Sequence, residues 1–297
     1  MADIGFDGRV AIITGAGGGL GRAHALELAR RGARIVINDL GGSVDGTGAS
    51  LGPAAIVVDE IKALGGEAVA NTDSVATPAG GAAIVQSAID AFGRVDIVIN
   101  NAGILRDKAF HNMDADLLEP VLDVHLKGAF YVTRAAWIKM REQSYGRVVN
   151  TSSNSGLLGN FGQSNYGAAK MGLVGLTRVL AIEGAKSNIK VNAIAPVAFT
   201  RMTEALMGDL GTKLKPELVT PIVAWLCHED CPVTGEVYSA GGGVVARFFV
   251  GLTQGYVNPT LTVEDIRDNF DQIRDETGYV VPDNNGDELR KIFRQLR

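Results

Sequence analysis

Two cysteines, Cys227 and Cys231, are all that the 297-residue chain contains. So few thiols exclude a disulfide framework and fit a reducing cytosol. No run of Lys or Arg exceeds two residues and the formal net charge is −5, so nucleic acid is not an expected partner. No uninterrupted apolar stretch approaches the roughly 20 residues that span a bilayer. The opening MADIGFDGR is polar and has no signal-peptide core; the closing Gln295-Leu296-Arg297 matches no retention or peroxisomal signal. The expectation is a cytoplasmic protein without a membrane partner. Apolar residues make up 46% of the chain, which is ample for a large core.

Those apolar residues are arranged in alternation. Short, β-branched runs at Arg9–Ile13, Arg34–Asn38, Glu67–Asn71, Val95–Asn100, Gly146–Thr151 and Ile189–Ala195 read as strands, with a last one at Glu236–Ser239. Helical patterns lie between them: LGRAHALELARRG, IVVDEIKALGG, residues 79–92, 115–142 and 164–187, and one ending near His228. Apolar strands alternating with amphipathic helices predict an α/β fold with a doubly wound parallel sheet. Such sheets bind ligands beyond the C-terminal ends of their strands. Residues 1–243 are expected to form one dinucleotide-binding and catalytic domain. Residues 244–297 change in texture and predict a helical extension, acting as a cover or an interface. There Thr262 offers an N-cap, Ile266, Phe270 and Ile273 share a face, and Leu289, Ile292, Phe293 and Leu296 mark a final helix.

The first strand runs into TGAGGGLG, Thr14 to Gly21. Gly15 permits a tight turn, Gly17 to Gly19 permit close approach of a phosphate, and Gly21 lets helix and strand meet. The G-x-G-x-x-G spacing is not met, because Leu20 stands where its last glycine belongs; the longer T-G-x-x-x-G-x-G form is. Leu20 joins the glycines as a candidate cofactor contact. Asp39 ends the second strand, where a carboxylate can bind the ribose hydroxyls of an adenosine. Its charge would repel a 2′-phosphate, and no Arg or Lys lies in the glycine loop or directly after Asp39. That favours NAD over NADP. Asp73, Ser74 and Val75 follow the third strand and could hold the adenine or cap a turn. Asn101, Ala102 and Gly103 follow the fourth and continue the series of small or polar residues at strand ends.

Tyr166 stands four residues before Lys170 in SNYGAAK, so both project from one face of a helix. Ser153, at the end of the fifth strand, can meet them at the sheet rim. The Lys170 ammonium and a cationic nicotinamide nearby are together expected to lower the phenol pKa and make Tyr166 a general base, with Ser153 holding the substrate oxygen. His24 and His111 have no evident partners, and Trp137 and Trp225 read as core or interface residues. Cys227-His228-Glu229-Asp230-Cys231 lacks the further ligands that a zinc site needs, and no metal is expected.

TGAGGGLG, NNAG, Ser153 and the Tyr166/Lys170 pair resemble the short-chain dehydrogenase/reductase family over about residues 7–240. The resemblance implies a Rossmann-type sheet, a nicotinamide cofactor, and a homodimer or homotetramer built through the two long helices. That family completes its proton relay with an asparagine on the helix before strand five; here DVHLKG places His125 there. After strand six the family has Pro-Gly and a threonine five residues past the proline. This chain reads IAPVAFTRMT, with Arg201 in that place, Thr200 one residue earlier, and Ala198 as a backbone contact. Within the family, NDLGG, NNAGILRD, VHLKGAFYVTRAAW, GNFGQSNYGAAK and WLCHEDC are similar to the (3R)-hydroxyacyl-CoA dehydrogenase units of type 2 multifunctional enzymes, over about residues 7–275. That similarity implies NAD-dependent oxidation of a 3-hydroxyacyl-CoA, of fatty-acyl or steroid side-chain type, to the 3-ketoacyl-CoA in β-oxidation. The alternatives are a dehydrogenase of free hydroxysteroids and a non-catalytic NAD-binding protein. Intact Ser153, Tyr166 and Lys170 argue against the last.

Overall fold

Strand β1 (Val10–Thr14) is buried along its whole length and lies inside the sheet, between β2 (Arg34–Asn38) and β4 (Ile97–Asn100). Beyond β2 lies β3 (Ala68–Asn71); beyond β4 lie β5 (Gly146–Thr151), β6 (Ile189–Pro196), β7 (Val237–Gly241) and β8 (Val244–Phe248). The strand order is therefore β3-β2-β1-β4-β5-β6-β7-β8. Every pairing from β3 to β7 is parallel. These coordinates come from a computed structural model, which describes residues 4–48, 50–200 and 213–296. The segment around Arg201 lies outside the described residues.

The helices that cover this sheet are α1 (Gly19–Arg30), α2 (Gly52–Ala63), α3 (Pro78–Phe92), α4 (Ala115–Leu122), α5 (Gly128–Gln143), α6 (Asn154–Leu158), α7 (Ser164–Gly184) and α8 (Thr220–Cys227). Period-two alternation along β1 divides the core. Ala11 and Ile13 pack with Leu28 of α1, Ile61 of α2 and Leu226 of α8. Val10 and Ile12 face the other way, toward Ile84 of α3 and Met140 of α5. Each fully buried Ile or Leu contributes about 1.5–3 kcal/mol, so both faces of the sheet need cover. The strand order reverses between β1 and β4, which opens a crevice at their C-terminal ends.

Three predicted elements differ. The helix expected over 115–142 is two helices joined by a π turn, Asp123–Lys127. Pro120 inside α4 has no N–H to donate, and further along the Gly128 N–H reaches back to the Asp123 carbonyl in the wider π spacing. The last predicted strand runs to Gly241, and β8 follows it across Gly242-Gly243, whose φ of +58° and +84° suit a tight hairpin. The helix over 164–187 is α up to Gly184 and then tightens into a 3-10 turn.

The chain divides into two compact units, Met1–Arg247 and Phe248–Arg297, where the sequence suggested a boundary after residue 243. Within the second unit Thr262 forms a capping box with Asp265 and opens α9 (Val263–Asp268); α10 (Phe270–Arg274) follows after a break at Asn269. The rings of Phe249 and Tyr279 stack at 5.6 Å, and Leu252 bridges to Val280. A second capping box at Asn284 opens α11 (Asn285–Gln295), which leaves Leu289, Ile292, Phe293 and Leu296 exposed.

His24 of α1 is wholly buried. Its Nδ1 lies 2.9 Å from Thr220 Oγ1, its Nε2 has no hydrogen-bond partner, and burial pulls its pKa down from 6.5 to about 3. An unfolded chain protonates this residue near pH 6.5, whereas the folded one resists until about pH 3. The stability that His24 contributes is therefore complete above pH 6.5 and declines below it, by up to about 1.4 kcal/mol per pH unit. Denaturant titrations between about pH 7 and pH 5 should show a shallower loss for His24→Gln than for the wild type; parallel slopes would mean that His24 carries no such linkage.

Candidate active site

The crevice at the β1–β4 reversal holds a cavity of about 380 Å³. Gly15 makes the turn into it: its φ is +63°, and a Cβ there would stand 2.7 Å from Ala102 Cα, so no other residue fits. Gly19 and Leu20 line the wall at the start of α1, where unsatisfied N–H groups face the space. Gly21 packs directly beneath the Gly15 carbonyl. Gly17 serves the site indirectly, since its N–H donates to Asp39 Oδ2 at 2.7 Å. Asp39 Oδ1 accepts from the Gly41 N–H at 2.7 Å. Two backbone donors therefore fix this carboxylate at the cavity wall.

Ser74 and Val75 also line the wall beside Asp73. Asp73 is set in place by two buried amides: its Oδ2 accepts from Asn71 Nδ2 at 2.7 Å and its carbonyl from Asn38 Nδ2 at 2.9 Å. Ala102 and Gly103 form the opposite side. Asn101 reaches the same wall, but its side chain is committed to the glycine turn. Its Nδ2 donates to the carbonyls of Thr14 and Gly15, both at 3.0 Å. Arg106 is the one cationic side chain in this wall among the described residues.

A second cavity, of about 390 Å³, shares Leu20, Asn101, Gly103 and Thr200 with the first. Ser153, Tyr166, Lys170, His125 and Ala198 all line it. Ser153 caps α6, its Oγ accepting from the Ser155 N–H at 3.1 Å and donating to Asn154 Oδ1 at 3.3 Å, and its hydroxyl acts on the Tyr166 phenol to lower the phenol pKa. Lys170 is buried. Its ammonium donates to the Thr151 carbonyl at 2.5 Å, and its own carbonyl accepts from Ser152 Oγ at 2.8 Å. The ammonium stands 5.4 Å from the Tyr166 ring centroid.

Burial reverses the expected direction of the phenol. Loss of hydration raises the Tyr166 pKa above 10, and the charge of Asp107 adds to the rise; the Ser153 hydrogen bond opposes it without prevailing. Lys170, whose own pKa burial lowers to about 7, does not offset the effect. The sequence-based expectation of a lowered phenol pKa fails for the protein alone, because spacing along a helix carries no information about desolvation.

His125 sits in the π turn with its ring edge-on to Tyr166, 5.1 Å between centroids. Its Nε2 lies 2.8 Å from the Ile104 carbonyl oxygen and 3.1 Å from the Ile104 nitrogen. Burial and the Lys170 charge hold its pKa well below 6.5, so the imidazole is neutral. A small cavity of about 10 Å³, the room of one water molecule, lies between His125, Lys170 and Asn100.

Sequence reasoning passed over the residues that hold these groups in place. Asn100 Nδ2 donates to Thr133 Oγ1 and Asn150 Oδ1, both at 2.8 Å, and Asn150 Nδ2 donates to Thr177 Oγ1 at 2.9 Å. This buried ladder ties β4 and β5 to α5 and α7. Buried asparagines within apolar strand runs were its available signal.

A family model described as short chain dehydrogenase matches residues 9–210, and the chain belongs to that family. Its fold implies a nicotinamide cofactor, NAD or NADP. The glycine turn, the α1 N-terminus and the two adjoining cavities fit such a dinucleotide. Among its relatives, peroxisomal multifunctional enzyme type 2 of Mus musculus is 50% identical over 275 residues, which is 91% of this chain and 37% of the mouse protein. The chain thus spans well under half of that relative. A putative short-chain type dehydrogenase/reductase of Mycobacterium tuberculosis is 53% identical over 276 residues, 92% of this chain and 96% of that protein. The structure of the full-length Drosophila melanogaster multifunctional enzyme type 2 superposes with a TM-score of 0.83 at 39% identity, covering 98% of this chain and 50% of that one.

Asp39 presents its carboxylate at the wall of the first cavity, and a ribose bound against it would meet that charge. Replacing it removes an anionic acceptor, worth about 1.5–3 kcal/mol for a charged hydrogen bond. Steady-state kinetics of Asp39→Ala should move the ratio of kcat/KM for NAD to that for NADP about tenfold or more toward NADP. An unchanged ratio would remove Asp39 from ribose recognition.

Proposed function

We propose that the chain is an NAD-dependent dehydrogenase of 3-hydroxyacyl-CoA thioesters, with Tyr166 as general base. One observation carries this reading: Ser153, Tyr166 and Lys170 line a single cavity that continues into a second cavity bearing the Asp39 carboxylate. Asp39, the glycine turn and the Ser74–Val75 wall would hold the adenosine half of the cofactor. Tyr166 and Lys170 would flank the nicotinamide half. The cofactor, when bound, supplies the hydride acceptor.

Ser153 hydrogen-bonds the substrate hydroxyl and orients it toward Tyr166, which removes its proton. Lys170 stands 5.4 Å from the phenol ring centroid; while protonated its charge favours the phenolate without outweighing desolvation. The small cavity between His125 and Lys170 has room for one water beside the lysine. His125 fills the position of the usual relay asparagine; being neutral, it acts by orientation and hydrogen bonding rather than by carrying charge.

Leu105 and Leu158 give the catalytic cavity apolar walls near Ser153, which suits the acyl chain of a thioester. The likeness to multifunctional enzymes type 2 supports the same substrate class. A homodimer or homotetramer belongs to this reading too. The outer faces of α5 and α7 flank a broad groove and expose Phe130, Ile138 and Val179 to 48%, 47% and 53%, and a second copy would cover them.

Purified protein with NAD and a (3R)-3-hydroxyacyl-CoA should form the 3-ketoacyl-CoA, and Tyr166→Phe should lose about 10²–10⁴-fold in kcat. Turnover of a free hydroxysteroid without turnover of the thioester would transfer the assignment to a steroid dehydrogenase. Full activity of Tyr166→Phe would end the role given to the phenol.

A further inference from the structure

Asn165, the residue before the tyrosine, is 1% exposed. Its side-chain amide makes three hydrogen bonds. Oδ1 accepts from the Tyr166 N–H at 2.7 Å, and Nδ2 donates to the carbonyls of Arg106 and Leu117, both at 2.9 Å. We propose that Asn165 is a positioning residue for Tyr166, and that residues 104–108 form a brace from which both the catalytic helix and the nucleotide-side loop hang.

The brace is read from its bonds on each side. Toward the catalytic helix, the Lys108 N–H donates to the Gly162 carbonyl at 2.8 Å, and Gln163 Nε2 donates to Asp107 Oδ2 at 2.7 Å. Toward the loop after β2, the Leu105 N–H donates to the Val44 carbonyl at 3.0 Å, and Arg106 Nε donates to the Asp45 carbonyl at 3.0 Å. Val44 lines the nucleotide cavity, Leu105 the catalytic one, and Ile104 contacts His125.

Arg106 has a second task that the sequence explains. Pro120 has no N–H, so the Asp116 carbonyl one turn earlier has no helical donor. Arg106 Nη1 supplies it at 2.7 Å. The arginine thus stabilises the proline-broken end of α4 and holds the nucleotide-side loop with the same guanidinium. Its own carbonyl receives the Asn165 amide. A five-residue segment therefore sets the spacing between the loop that would flank the cofactor and the tyrosine that acts beside it. A displacement of about 1 Å at a reacting group can cost about 100-fold in rate, so this spacing has kinetic consequences. The Asn165 backbone lies in the first turn of α7, where a side chain that only capped the helix would not need two remote carbonyls.

The proposal rests on Tyr166 being the base, and its test separates the two. Asn165→Ala is expected to lower kcat about 10- to 100-fold and, because the brace also carries the nucleotide-side loop, to raise the NADH dissociation constant, read by nucleotide fluorescence, by a smaller factor. Because the Ser153 hydrogen bond holds the phenol pKa down, misalignment should also move the acid limb of the kcat/KM profile to higher pH. Hydrogen exchange on the free enzyme needs no substrate and should show lost amide protection over 104–108 and 162–167 but not in β1 or β2. Should Asn165→Ala fail to fold, Asn165→Ser takes its place, since a hydroxyl can accept the Tyr166 N–H but cannot reach both carbonyls. A kcat near that of the wild type, an acid limb that does not move, or unaltered exchange in both segments would each overturn the proposal. Absence of thioester turnover in the wild type would instead count against the proposed function, and the exchange result would still decide the brace.

Discussion

Lys170 is held at both ends by Thr151, the last residue of β5, and Ser152 just beyond it. Its ammonium donates to the Thr151 carbonyl, its own carbonyl accepts from Ser152 Oγ, and Ser153, the next residue, lines the same cavity as the Tyr166 phenol. Three consecutive residues at the end of one buried strand thus place the three groups of the candidate site. The rest of the fold serves that clamp. Parallel pairing of β5 with β4 and β6 fixes the height of the strand end, and the Asn100–Asn150–Thr177 ladder locks α7 against the sheet. A buried ladder of this kind is stable only when its donors are matched, so it specifies one register for the catalytic helix.

The clamp also sets the electrostatics. Removing Lys170 from water draws its pKa to about 7, and removing Tyr166 from water raises the phenol. Both shifts oppose the charged forms that base catalysis uses. In the free protein the pair is accordingly held near neutrality. A positive charge arriving beside the phenol would favour the phenolate in a dry site, where charges interact more strongly than in water. On the proposed function, base strength would then depend on the cofactor charge seated beside the phenol.

Much of this was legible in the sequence because it is local. Gly15 at a strand end, Asp39 at the next strand end and the Tyr166/Lys170 spacing report their geometry within a few residues. The doubly wound sheet followed from apolar runs alternating with helices. What escaped was non-local. Asn165 looks like an ordinary helix-start residue until the Arg106 and Leu117 carbonyls are brought to it. Arg106 looks like a surface charge until Pro120 leaves the Asp116 carbonyl without a donor. The direction of the Tyr166 shift was beyond reach, since desolvation depends on what closes over the ring.

The central claim is that the phenol is weakly acidic in the free protein and is activated by the cofactor's charge. The most direct measurement is the Tyr166 pKa from ring-labelled tyrosine NMR, assigned with Tyr166→Phe, with and without NAD⁺. The account predicts a pKa above 10 in the free protein and a fall of about 1–3 units on saturation with NAD⁺. A pKa already below 10 without cofactor, or one that NAD⁺ leaves where it was, would contradict it.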